Sequence, residues 1–305
     1  MKYFYSFLII AFVVILGFAC TQEKNYIEPA KTEEQKAFEE LQIKIEALNA
    51  EFGVSDLGTR ANYSKRKRIW RIFGADLRGG LLGYIKGNFL GALRWGVGSS
   101  IAAAKKYNNE PSGDTIYVPE RALNGFAVGD MANETDATMS RLDSIGYYHN
   151  QIICDLYDEY GLTLFDMNES TYEQLIDQRA QVYAHGSNSN STGVVIDEAA
   201  VNDLLANMED DNIAETFETL NEILPEYVQE FQIVQEYCET IITFDSDEEL
   251  IQYAQAHNNL LQASTISEYA KSLIGAGTGT GTGSIIIWNP IRKPLPEDEL
   301  DPIEP

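Results

Sequence analysis

The stretch ADLRGGLLGYIKGNFLG, residues 75–91, decides the fold of this chain. Small residues recur in it at every fourth position: Ala75, Gly79, Gly83, Gly87 and Gly91. Positions four apart lie on one face of an α-helix, so they would form a smooth groove against which another backbone packs closely. Each glycine costs a helix about 1 kcal/mol relative to alanine, and close packing has to offset that cost. We therefore predict a glycine-zipper helix or hairpin, residues 69–104, that packs into the fold.

The same region concentrates the positive charge of an acidic protein. The chain has 305 residues and a formal charge of −25, which argues against a nucleic-acid binder because phosphates would be repelled. Between Arg60 and Lys106, however, 11 of the 22 basic residues accompany a single acid, Asp76. Such a basic element needs a partner. The candidates are the acidic helices of the protein itself, an anionic lipid or lipopolysaccharide surface, and another protein.

Two further roles remain open for this basic segment. Arg78, Lys86 and Arg94 interrupt every apolar window long enough to cross a bilayer, but an interfacial, membrane-perturbing helix similar in texture to small bacteriocins is an alternative. Homo-oligomerisation through the glycine groove is another. The preceding cluster Lys65-Arg66-Lys67-Arg68 is either a contact for an envelope protein or anionic lipid, or a solvated flank.

The rest of the chain has helical spacing of its apolar residues. A capping box, Thr32-x-x-Gln35, begins the first helix, and Gly53 lies at its end. Further helices are predicted at residues 119–137, 143–160, 170–184, 194–207, 212–224, 226–244 and 246–274. Almost no alternating pattern occurs. We predict an all-α, multi-helix bundle over residues 32–274.

The N-terminus has the features of an export signal. Lys2 precedes an apolar run from Phe7 to Phe18, which predicts a signal peptide at residues 1–19. The following Leu16-Gly17-Phe18-Ala19-Cys20 resembles the lipobox of bacterial lipoproteins, although Gly17 and Phe18 depart from its usual pattern. Cys20 would then carry the lipid and residues 20–31 would be a tether to the outer membrane, whereas ordinary cleavage after Gly-x-Ala is the alternative.

The C-terminal segment is low in complexity. Residues 275–284 contain mostly glycine and threonine, a composition typical of flexible linkers. Proline and acidic residues dominate the end of the chain. We predict a flexible tail at residues 275–305, outside the core, with one short apolar anchor at Ile285–Trp288.

Two His-Asn pairs are the candidate polar sites: His149-Asn150 and His257-Asn258. In a hydrolase one imidazole would act as general base, oriented by Asp143 or Glu239. No nucleophile or metalloprotease motif accompanies them, and a buried, hydrogen-bonded histidine is the commoner role. A metal held by both histidines would need them to meet in space, and no metal is predicted. Cys154 and Cys238 would either form a disulfide or remain as two buried thiols.

The lipobox, the small-residue helix, the motif Ile145-Gly146-Tyr147-Tyr148-His149-Asn150 and the stretch from Ala263 to Tyr269 together resemble a known group. They are similar to exported proteins of Bacteroides-type bacteria in which a glycine-rich segment precedes an Ile-Gly-x-x-His-Asn helix. The resemblance covers residues 69–274 and implies an envelope location. It brings no activity and therefore no site residues.

These observations predict a non-catalytic, lipid-anchored envelope protein with a binding or scaffolding role and no cofactor. A membrane-active protein and a histidine-dependent hydrolase are the alternatives.

Overall fold

The computed structural model describes residues 31–54, 70–109, 115–119, 141–183, 213–244 and 246–292. The chain divides into two units, Met1–Lys36 and Ala37–Pro305, and the described residues of the first are 31–36 alone. Several predictions lie outside the described residues: the signal peptide, Cys20, the cluster Lys65–Arg68, the helices at 119–137 and 194–207, and the tail beyond residue 292.

The described residues form eight α-helices. These are α1 (Glu33–Glu51), α2 (Trp70–Asn108), α3 (Arg141–Tyr160), α4 (Glu169–Tyr183), α5 (Ile213–Ile223), α6 (Val228–Ile241), α7 (Asp247–Ala263) and α8 (Glu268–Ile287). Short 3-10 turns lie at Gly161–Asp166 and Pro225–Tyr227. The predicted all-α bundle is confirmed.

Helix α1 begins where the capping box predicts it. The Thr32 amide donates to Gln35 Oε1 over 2.9 Å, and the Gln35 amide donates to Thr32 Oγ1 over 3.1 Å. These bonds satisfy two of the backbone donors that a helix N-terminus leaves without partners. One face of α1 is buried, with Phe38, Leu41 and Ile45 in the core. Local sequence therefore determines where this helix begins.

Helix α2 is a hairpin. Its helical dihedral angles are interrupted at Gly87 (φ −139°, ψ 19°) and Asn88 (φ 54°, ψ −145°), and asparagine is among the residues that best tolerate a positive φ. The chain reverses there, so that a first arm, residues 70–86, packs antiparallel to a second arm, residues 89–108. A Cβ added to Gly83 would overlap the carbonyl oxygen of Gly91. The backbones of the two arms are in direct contact, which only glycine permits.

The prediction of a flexible tail at residues 275–305 is wrong for residues 275–292, which form the end of helix α8 and the short strand Trp288–Arg292. Residues 275–287 are helical and almost entirely buried, and α8 packs against α2, α3, α6 and α7. The predicted helix 246–274 is also wrong in one respect, because it breaks at Ser264 and a new helix begins after the cap Ser267.

The physical reason for the misreading lies in the glycines of α8. Hypothetical Cβ atoms on Gly277 and Gly281 would lie 2.7 Å from Val234 Cγ1 and 3.1 Å from Phe73 Cε2. Glycine here gives other elements room to approach, and that packing offsets its poor helix propensity. A segment without charge on any face is suited to the centre of a bundle.

A two-stranded antiparallel sheet closes one side of the second arm. Strand β1 (Thr115–Pro119) pairs with β2 (Trp288–Arg292), and Tyr117 is opposite Pro290. Asn108, at the end of α2, accepts from the Tyr117 amide over 2.7 Å and donates to the Tyr117 carbonyl over 3.0 Å. Trp288 is 1% exposed, and the predicted apolar anchor at 285–288 is therefore part of the core.

No helix among the described residues meets the length and apolarity needed to cross a membrane.

Candidate functional site

A groove of about 960 Å³ lies between hairpin α2 and helix α4. The α2 wall consists mainly of small residues, and the α4 wall carries polar side chains. The hairpin contributes Ala75, Arg78, Arg94, Trp95, Gly98, Ser99, Ala102, Ala103 and Lys106, and α4 contributes Glu169, Ser170, Tyr172, Glu173, Gln174, Ile176, Asp177 and Gln178. The volume is in the range of pockets that bind small molecules.

Small side chains on the second arm keep the groove open. A Cβ added to Gly98 would meet no atom within 4 Å, in contrast to Gly79, whose added Cβ would lie 2.6 Å from Ser99 Oγ. Gly98 and Ala102 are four residues apart and therefore share one helical face. This part of the small-residue face thus has no packing partner among the described residues, whereas the part near the turn is closed by the other arm.

The two walls carry opposite charges. Arg78, Arg94 and Lys106 lie on the hairpin side, and Glu169, Glu173 and Asp177 lie on α4 at a spacing of four residues. Arg94 Nη2 forms an ion pair with Asp177 Oδ1 across the groove. Arg78 lines the groove and is only 1% exposed. A ligand with both a negative and a positive group would find a partner for each.

Tyr172 adds a hydrogen-bond donor to the α4 wall. Burial, together with the negative charges of Glu169 and Glu173, raises the pKa of its hydroxyl to about 12. The hydroxyl therefore remains protonated at neutral pH.

The predicted glycine groove is only partly the groove that the structure contains. Gly79, Gly83 and Gly91 form the contact between the two arms, and Ala75 lines the open groove. Gly87 does not belong to either, because the chain reverses at that residue and no atom lies within 4 Å of an added Cβ. The spacing of four is the same at all five positions, so it could not show where the helix would break.

His149 is buried between the hairpin, α3 and α8. Asn150 Nδ2 donates to the Gly283 carbonyl over 3.0 Å, and Asn150 Oδ1 lies 2.9 Å from His149 Nδ1. The other ring nitrogen, Nε2, lies 3.6 Å from Asp76 Oδ2. Burial lowers the pKa of His149 to about 4. The carboxylate beside this histidine is therefore Asp76.

His257 has entirely different neighbours. Its ring lies 4.6 Å from that of Tyr237 and 6.1 Å from that of Tyr253, and burial lowers its pKa to about 3. Asn258 is half-buried. Both histidines are buried, and neither lines the groove. Their surroundings do not provide the accessible general base that a hydrolase needs.

Metal and thiol chemistry have little support in the described part of the chain. It contains no group of three histidine, cysteine or acidic side chains placed to hold a metal ion. Cys154 and Cys238 are buried and form no disulfide, and burial raises the pKa of the Cys238 thiol well above its usual range. A neutral, buried thiol is a poor nucleophile.

Two sets of residues in the groove and in the core were not predicted as site residues from the sequence. Glu169, Glu173 and Asp177 share a face of α4, and their spacing of four was a signal that could have found them. Asp76 was visible as the single acid of a basic segment, but its contact with His149 depends on a pairing of distant helices.

No protein-family model, no curated protein and no solved structure matches this chain. The roles of the groove and of the buried polar residues therefore follow from their geometry alone.

Proposed function

We propose that this chain is a lipid-anchored protein of the bacterial cell envelope that binds a ligand without transforming it. The ligand site is the groove between α2 and α4, and the ligand class is a short peptide with a free amine and a free carboxylate. The observation that carries the proposal is the pair of oppositely charged walls around a cavity of about 960 Å³.

The chemistry of the two walls supports this ligand class. Arginine binds carboxylates through parallel N–H donors, and Arg78 and Arg94 place such donors on the hairpin side. The acidic row of α4, of which Glu169 and Glu173 are exposed, is suited to an ammonium group. Between them, the small residues around Gly98 leave room for a peptide backbone. Neither His149 nor His257 lines the groove, which favours binding over hydrolysis by either residue.

Trialanine is a simple probe of this site. We expect trialanine with free termini to bind in isothermal titration calorimetry, and both N-acetyl-trialanine and trialanine amide to bind at least ten-fold more weakly. N-acetylation removes the ammonium group that would face the acidic row of α4, and amidation removes the carboxylate that would face Arg94. No heat of binding at millimolar free trialanine would contradict the proposed ligand class.

A groove-filling variant shows whether the peptide binds where we propose. Gly98→Phe places a ring in open space without a clash at its Cβ, and it should abolish trialanine binding while the far-ultraviolet circular dichroism stays helical. Val182→Phe is the matched control, because Val182 is 59% exposed on α4 and lies outside the groove. Binding that survives Gly98→Phe would place the site elsewhere.

The anchor is tested separately. Cells given an alkyne-labelled fatty acid should incorporate it into the wild-type chain and not into Cys20→Ala. Labelling of the Cys20→Ala chain, or none of the wild type, would remove the lipid anchor from the proposal and leave the groove unaffected.

A further inference from the structure

In the buried contact between Asp76 and His149, each residue has a polar atom without a hydrogen-bond partner among the described residues. Asp76 is 0% exposed, and its Oδ2 accepts from the Ser100 hydroxyl over 2.8 Å. Ser100 in turn accepts from Trp288 Nε1 over 2.8 Å. Neither Asp76 Oδ1 nor His149 Nε2 has a hydrogen-bond partner among the described residues. Buried polar atoms in this condition need an explanation, because leaving them unsatisfied is costly.

The tautomer of His149 follows from its neighbour. Asn150 donates through Nδ2 to the Gly283 carbonyl, so its Oδ1 is the atom that faces the ring. An amide oxygen only accepts, and therefore His149 Nδ1 must carry a hydrogen. In a neutral imidazole the other nitrogen, Nε2, then has a lone pair and no hydrogen. This lone pair faces Asp76 Oδ2 at 3.6 Å.

Two acceptors that face each other in a dry core repel unless a positive species lies between them. We propose that a single proton is held between Asp76 Oδ2 and His149 Nε2, and that this buried proton joins the hairpin to α3. The pair then carries one proton more than a free carboxylate with a neutral imidazole. The proton is either on the acid, which donates to the ring, or on the ring, which donates to the carboxylate.

Burial favours a bound proton at Asp76. Burial raises the pKa of Asp76 well above its ordinary value and outweighs the groups that lower it: the hydroxyls of Ser284 and Ser100, the Trp288 indole and the positive charge of Arg78. The other described groups that face the pair are uncharged: Ser100 on the second arm, Ser284 on α8, Trp288 at the start of β2, Asn150 on α3 and the Gly96 carbonyl. The folded state thus binds this proton more tightly than the unfolded state does. The stability that it contributes is present at low pH and is lost as the pH rises through the pKa of the folded pair.

Nitrogen-15 spectra of the wild-type protein labelled at histidine test the tautomer directly. We expect His149 to show a protonated Nδ1 at neutral pH, and an Nε2 signal that is hydrogen-bonded or protonated. A bare Nδ1 together with a protonated Nε2 would overturn the proposal, because the contact would then need no additional proton. This measurement requires no variant and therefore does not depend on a mutant that folds.

Asp76→Asn tests the consequence for stability. The amide fits the same space and donates to His149 Nε2 through Nδ2 without a titratable proton. In urea denaturation between pH 7 and pH 9.5, we expect the wild-type midpoint to fall by more than that of Asp76→Asn. Asp155→Asn is the control, since Asp155 is an α3 carboxylate that accepts from the Tyr183 hydroxyl over 2.8 Å and lies outside the pair. An equal fall in Asp76→Asn and the wild type would contradict the proposal.

A monovalent cation is the other positive species that could occupy this position. Replacing sodium chloride by choline chloride at constant ionic strength should leave the wild-type midpoint unchanged. A midpoint that falls without sodium in the wild type, and not in Asp76→Asn, would assign the position to the cation and overturn the proton.

Discussion

The molecule contains two glycine-rich stretches, one in hairpin α2 and one in helix α8, and they differ in how their sequence signals packing. In α2 the small residues recur every four positions among large apolar and basic side chains. In α8 glycine alternates with threonine, which resembles a linker. Both end up buried, because in both the missing side chains let another element approach. Composition alone therefore does not separate a linker from a closely packed helix.

The largest expected effect is that of a charge introduced into the buried Gly-Thr stretch of α8. Thr280 is 0% exposed, so Thr280→Lys places a charge in the core and should cost about 4 kcal/mol or more, a large part of the stability of a typical domain. A linker would tolerate the same change. The measurement is urea denaturation followed by circular dichroism. Thr171→Lys, on the exposed face of α4, is the control and should cost less than about 1 kcal/mol.

Closing the hairpin contact should have the next largest effect. A Cβ on Gly91 would overlap the Gly83 carbonyl oxygen, which is backbone and cannot rotate away. We expect Gly91→Ala to lower the free energy of unfolding by about 3 kcal/mol, although alanine favours helix. A neutral or stabilising Gly91→Ala would mean that the arms do not pack through their glycines.

The two glycine-rich stretches can also be compared by how stability changes at acid pH, because a buried histidine lies beside each stretch. His257 packs on Tyr237, whose hydroxyl lies 2.5 Å from Thr282 Oγ1 of α8. The folded pKa of His257 is about 3, below its ordinary 6.5, so its contribution to stability is present above pH 6.5 and is lost as the pH falls. Between pH 7 and pH 5 this loss is about 2 kcal/mol.

His257→Gln removes that titration. In urea denaturation at both pH values, the variant should therefore lose about 2 kcal/mol less than the wild type. His149→Gln serves as the parallel measurement beside the hairpin, and it too should lose less than the wild type, because burial lowers the pKa of His149 to about 4. Identical pH dependence in His257→Gln and the wild type would show that this ring is accessible to protons in the folded state.

The smallest effect concerns the open end of the hairpin face. Gly98 has free space around its Cβ position, so Gly98→Ala gains helix propensity without a clash. We expect a gain of about 0.5–1 kcal/mol, measured as the shift in the urea midpoint. A loss instead would indicate that another part of the chain occupies the groove.

Much of the fold was predictable from local patterns. The capping box at Thr32, the apolar face of α1 and the break at Pro225 are set by residues close in sequence, and the structure confirms them. The hairpin was one of two predicted forms, and the turn at Gly87-Asn88 selected it. Of the candidate site, the sequence indicated the small-residue wall but not the acidic wall on α4.

The sequence by itself determined that this protein is helical and that its glycine-rich basic segment packs against something, because helical periodicity and the cost of glycine are local properties. Only the tertiary structure decided that the Gly-Thr stretch is the central helix and that Asp76 meets His149. Those outcomes depend on which helix faces, distant in sequence, pack together. Close packing offsets the poor helix propensity of glycine, and burial raises the pKa of a carboxyl group.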